Sequence, residues 1–152
     1  MQEHIGKIEI FKDLSPRQID ELHLWLQRRD YPPGAEIIKE GATSHGLYLL
    51  TGGDVTVVKK STLRKVLLSQ ISAPSFFGEI GLLNGRARTA AVRAKTQVVI
   101  GYLPGPLFES KLAEDNITAL RISLSIGRLL SKRLADTSEM LAHTAVLLKP
   151  KK

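Results

Sequence analysis

Cysteine is absent from the 152 residues, which removes disulfides, thiolate nucleophiles and cysteine-ligated zinc at once. A secreted domain of this size often leans on disulfides, so the absence points to a reducing compartment, and a cytoplasmic location is expected. Aromatic residues are sparse, with one Trp, three Tyr and four Phe, too few for a platform that stacks successive bases. No apolar run approaches the ~20 residues needed to cross a bilayer. Met1 to Phe11 mixes Glu3, Lys7 and Glu9 among its apolar residues and does not read as a signal peptide, so no membrane contact is expected. The histidines (His4, His23, His45 and His143) lack metal-ligand spacing. No nucleophile–base pair stands out either, so neither a metal site nor an enzyme is expected.

What remains is an ordinary globular balance, 43% hydrophobic and 24% charged, long enough for one good core. A single domain over 1–152 is the expectation. The net charge of +7 invites a nucleic-acid reading, but the basic residues are scattered over Lys59-Lys60, Arg64-Lys65, Arg86 to Lys95, Arg128 to Arg133 and the Lys149 to Lys152 tail. The charge reads as a solvated surface around a pocket for a single anion, and no nucleic-acid partner is expected within these residues.

Three zones follow one another. Leu14 to Arg29 has helical spacing, with Leu14, Ile19, Leu22 and Leu26 recurring and Ser15-Pro16 supplying an N-cap and first-turn proline. Tandem Pro32-Pro33 is expected to stop that helix. A roll over about 31–104 is then written in short strands: Ala35 to Glu40, Gly46 to Thr51, Asp54 to Lys60 and Arg64 to Ile71, with glycines between them. The spacing is too short for parallel crossovers, so the sheet should be antiparallel. From 106 to 148 the pattern is helical again. Leu120, Leu124, Leu134, Leu141 and Leu148 fall on one four-three stripe, interrupted by Gly127, Ser131 and Ser138. A helix over 117–147 would be roughly 45 Å long, and a break near Asp136-Thr137-Ser138 is the alternative. The stripe suits a second copy or a partner helix.

The chemistry concentrates in Phe76 to Val92. Gly78 opens a short helical piece, Asn84-Gly85 makes a turn, and Arg86 and Arg88 precede a strand. First-turn N–H groups after Gly78 present donors to an anion, and Arg88 can cap that anion with a two-pronged guanidinium. Glu79 beside an anion is explained if the ligand also carries a hydroxyl, because an ionised carboxylate only accepts hydrogen bonds. Phosphate with an adjacent hydroxyl describes a ribose phosphate. A plain alternative is a structural ion pair between Glu79 and Arg88. Arg86 reads as a solvated loop charge, and Phe76 and Phe77 as core.

Phe77-Gly78-Glu79 followed by Arg88-Thr89-Ala90, with Tyr31-Pro33-Gly34, Glu40-Gly41 and Gly53-Asp54-Val55 upstream, resembles the cyclic nucleotide-binding domain family of catabolite-activator factors, kinase regulatory subunits and gated channels. The likeness spans about Leu14 to Leu134. It implies an α+β fold: an antiparallel, jelly-roll-like β-roll with an N-terminal helix, a short phosphate-binding-cassette helix and C-terminal helices. It implies a regulatory module for cAMP or cGMP, with no other cofactor. Glu79 would take the ribose 2′-hydroxyl and Arg88 the exocyclic phosphate oxygen, and backbone groups of Gly78, Ile80, Gly81 and Ala90 would complete the cradle. Thr89 would offer a hydroxyl to guanine, and Leu129 and Arg133 would cover the base. Transcription-factor members carry a helix-turn-helix after the long helix, and none is written in these residues. The expectation is a free-standing sensor, or one belonging to a larger transcription factor, channel or transporter. An effector-insensitive interaction module of the same fold is the alternative.

Overall fold

The computed structural model describes residues 2–43, 45–62, 64–85 and 87–148. A short helix α1 (Gln2–Ile5) and a 3₁₀ turn (Glu9–Phe11) precede α2 (Pro16–Trp25). Ser15 and Gln18 close a reciprocal capping box at the start of α2, which satisfies two of the donors a helix start leaves open. The expected continuation of α2 to Arg29 does not form. The chain turns at Leu26, and Gln27–Tyr31 becomes strand β1, paired antiparallel with β8 from Gln27 opposite Tyr102 to Tyr31 opposite Val98. Sheet pairing here overrides the helical propensity of a Gln-Arg-Arg run. The tandem prolines therefore end a strand rather than a helix.

Strands β2 (Glu36–Ile38), β3 (Gly46–Gly52), β4 (Asp54–Lys60), β5 (Lys65–Ser72) and β6 (Ser75–Phe77) follow. Helix α3 (Glu79–Asn84), β7 (Ala91–Ala94) and β8 (Val98–Pro104) complete the roll. Two four-stranded antiparallel sheets result, ordered β1-β8-β3-β6 and β2-β7-β4-β5. Strand β3 is buried on both faces, and its pleat sends alternate side chains to two different cores. Leu47 and Leu49 join Ile5, Phe11, Leu22, Phe108, Ile122 and Ile126 beneath the helices. Tyr48 and Leu50 join Val55, Phe77, Val92, Ile100 and Tyr102 between the sheets. Strand β5 forms an edge and is exposed along nearly its whole length, including Val66, Leu67 and Leu68.

After α4 (Gly105–Ala113), helix α5 runs unbroken over Ile117–Leu147. Asn116 caps it by accepting from the N–H of Ala119 at 3.0 Å. Asn116 and Thr118 both donate to the carboxylate of Glu21 on α2, at 2.7 and 2.6 Å, which ties the base of α5 to the body. No break occurs at Asp136-Thr137-Ser138. The hydroxyls of Thr137 and Ser138 turn back onto the carbonyls of Arg133 and Leu134, so these side chains are satisfied within the helix. Residues 117–130 include every α5 side chain that is buried, and all of 131–148 is exposed.

Candidate functional site

One cleft opens beside α3. It holds about 260 Å³ and is lined by Ile38, Val57, Phe77 and Val92 on its apolar side, and by residues of 78–81 and 87–90 on its polar side. Seven of the residues singled out from sequence (Gly78, Glu79, Ile80, Gly81, Arg88, Thr89 and Ala90) thus line one cavity. The local chain dictates this convergence. Strand β6 pairs with β3 through Phe77 opposite Tyr48, whose rings stack at 5.1 Å, and this places Gly78 at the strand's end. Gly78 has φ 87°, a left-handed conformation that costs a side chain about 1–2 kcal/mol, and from it the chain swings directly into α3. The first-turn N–H groups of α3 then lie at the cleft without intrahelical acceptors.

Arg88 is buried although charged. Its main chain is clamped on both sides, the N–H donating to Ala42 O at 2.9 Å and the carbonyl accepting from the N–H of Gly41 at 2.8 Å. Its guanidinium donates to Gly78 O and to Gly46 O, both at 2.9 Å. Gly81 permits that approach, since a Cβ at this position would fall on the guanidinium itself. The cation is therefore oriented by carbonyl oxygens of β3 and of the turn into α3, at the polar edge of the cleft.

Glu79 is also buried, with its carboxylate side chain 10% exposed. It accepts from Nη1 of Arg133 on α5 at 2.5 Å. A carboxylate has room for further donors beside that one, so the site joins an acceptor-only group and a two-pronged cation in one small volume. Of the two residues considered as a base cover, neither lines the cleft: Arg133 touches it only through Glu79, and Leu129 packs against the helical core and borders a separate groove with Ile10, Lys12 and Arg128. Thr89 is exposed at the mouth. Arg86 and the Lys149 to Lys152 tail lie outside the described residues. Among the described residues no group of three or more His, Asp and Glu is placed to hold a metal ion, and no helix is long and apolar enough to cross a membrane.

Sequence reasoning missed the floor under Arg88. Gly46 O accepts from it, Tyr48 lies beneath it with the guanidinium 5.9 Å from the ring centre, and Tyr102 tilts against Tyr48 at 4.9 Å. These residues lie far from Arg88 in the chain: the β3–β6 pairing sets Tyr48 beside the turn at Gly78, and the β3–β8 pairing sets Tyr102 beside Tyr48.

Comparison with known proteins bears on the same region. Residues 28–115 match the family model described as "Cyclic nucleotide-binding domain". The chain is 32% identical over 108 residues to the cAMP-dependent protein kinase regulatory subunit of Neurospora crassa, an alignment that takes in 71% of this chain and 28% of that protein. It is 30% identical over 119 residues to the cAMP-activated global transcriptional regulator CRP of Escherichia coli O6:H1, covering 77% and 55%. In fold it resembles the Thermus thermophilus catabolite activator protein with TM-score 0.80 at 23% identity, covering 90% of this chain and 63% of that one. The chain thus spans between about a quarter and a little over half of the curated relatives it matches.

Proposed function

The chain belongs to the cyclic nucleotide-binding domain family, and from that premise we propose that it binds cAMP or cGMP beside α3 and relays the event through α5. One observation carries the reading: a buried carboxylate, Glu79, and a buried guanidinium, Arg88, line the same small cleft as the first turn of α3. Each is held by the protein, Glu79 by Arg133 and Arg88 by carbonyl oxygens, and each has room for a further partner. A cyclic nucleotide offers a phosphate to the guanidinium and a ribose hydroxyl to the carboxylate.

Arg88, pre-oriented by two carbonyls, neutralises the exocyclic phosphate oxygen, and the N–H groups of Ile80, Gly81 and Ala90 surround the rest of the phosphate. Glu79 accepts the 2′-hydroxyl. Ile38, Val57 and Val92 supply an apolar wall, and the cavity falls just below the roughly 300–1,000 Å³ typical of small-molecule sites. Thr89 stands where a hydroxyl can meet guanine. Arg133 ties the ribose end of the cleft to α5, so occupancy bears on that helix. Its exposed stripe of Leu124, Leu134, Leu141 and Leu148 then serves a second copy or a partner protein. The action is regulatory, with no catalytic step assigned to these residues.

Isothermal titration of protein freed of nucleotide tests the reading. One site per chain for cAMP, cGMP or both is expected. No heat with either nucleotide overturns it.

A further inference from the structure

We infer that Tyr102, which does not line the cleft, is a positioning residue that holds Arg88 in its phosphate-binding orientation through the start of β3; this rests on Arg88 being the phosphate ligand. Arg88 has its main chain fixed by the 41–42 loop, so the aim of its guanidinium is the remaining variable. Two carbonyl oxygens help set that aim: Gly78 O belongs to the turn into α3, and Gly46 O belongs to the first residue of β3. The second oxygen is only as well placed as the peptide that carries it.

Tyr102 holds the peptide just before it, His45–Gly46, and the Gly46 Cα that joins the two, in two ways. Its hydroxyl donates to His45 O at 2.8 Å, an oxygen that also accepts from the N–H of Gly105 at 3.0 Å. Its ring lies flush against Gly46, whose missing side chain leaves the space that the ring fills. The ring itself cannot drift. Tyr48 lies directly opposite in the register and tilts against it, and the guanidinium of Arg29 covers it at 3.6 Å from the ring centre. Burial, with Tyr48 alongside, raises the Tyr102 pKa above its ordinary value, so the hydroxyl keeps its proton and stays a donor across the neutral range. A rigid path thus runs from β8 through His45 and Gly46 to the guanidinium. It is built from residues distant in sequence and invisible in the cleft lining.

The test is Tyr102→Phe, which keeps the ring and removes the donor. In ligand-free protein the ¹⁵N–¹H signal of the Arg88 Nε is expected to shift and broaden, with the melting transition remaining cooperative. In titrations Tyr102→Phe should weaken cAMP or cGMP about three- to tenfold, the worth of one neutral hydrogen bond. That loss should vanish in an Arg88→Ala background, measured at millimolar nucleotide, because nothing is left to position. An equal loss in both backgrounds assigns Tyr102 to the fold alone and overturns the inference, as does an unchanged Arg88 signal. Should the unaltered chain bind no nucleotide, the ligand reading fails, and the Arg88 signal still decides the role of Tyr102.

Discussion

Arg133 on α5 donates to the carboxylate of Glu79 on α3 at 2.5 Å, joining positions 54 residues apart in the chain. The two ends are unequal: the Glu79 side chain is 10% exposed and that of Arg133 54%. The pair therefore matters more to the acid, which sits in the cleft, than to the base, which stays solvated. Replacing Arg133 by Gln should lower stability by about 1 kcal/mol, the upper part of the range for a partly exposed pair. In a domain of this size that is about 2–4 °C of melting temperature. Adding Glu79→Gln should recover part of the loss, since the two residues share one interaction. Calorimetry on the single and double variants checks this; two independent, additive losses would contradict it.

Arg88→Ala should cost about 2–5 kcal/mol of nucleotide affinity, the range for removing one member of a buried charge pair. That is roughly 30-fold to several thousand-fold in Kd. Titration against the unaltered chain measures it, and a loss below threefold would assign the phosphate to other groups.

Thr89 is expected to separate the two bases. Its removal as Thr89→Ala should weaken cGMP by about 1 kcal/mol, one hydrogen bond, and leave cAMP nearly unchanged. Equal losses would assign the hydroxyl to the phosphate or to the strand start.

Two glycines of the cleft should fail in different ways. Gly78→Ala places a side chain at φ 87° with neighbours at 3.0–3.1 Å, so it should destabilise the fold by about 1–2 kcal/mol. Gly81→Ala adds its methyl to ordinary helical backbone but onto the Arg88 guanidinium. It should therefore lower nucleotide affinity sharply with a smaller change in melting temperature. A melting curve and a titration for each variant settle the contrast.

If occupancy bears on α5 through Glu79 and Arg133, amide exchange across residues 117–148 should slow on saturation with nucleotide. The change should be lost in Arg133→Gln. A ligand shifts an equilibrium only through differential contacts, so unchanged exchange in the unaltered chain would dismiss the relay. Sedimentation in the same samples reports whether the exposed stripe recruits a second copy.

The cleft was legible in the sequence because its determinants are local. Gly78, Glu79, Asn84-Gly85 and Arg88 act within one turn or one short helix, and each residue type carries its own backbone or charge preference. The strand from Gly46 and the helical character of α5 were legible for the same reason. Strand β1 was not: Gln27, Arg28 and Arg29 are good helix formers, and only their register with β8 makes them extended. Which of Leu129 and Arg133 touches the site was also closed to sequence, which named both. They sit one turn apart on one side of α5, and which of them meets α3 depends on how far along its axis the helix docks. The tie from Asn116 and Thr118 to Glu21 sets that distance.

The unsupported end of α5 acts as a pointer. From Arg133 to Leu147 the helix runs about 21 Å with every side chain in solvent. A tilt of only about 10° at Arg133 would sweep its tip sideways by roughly 4 Å, about the reach of a side-chain contact of ~4.0–4.5 Å. A movement too small to notice inside the cleft thus becomes, at the far end, enough to make or break the contacts of the leucine stripe with a mating surface.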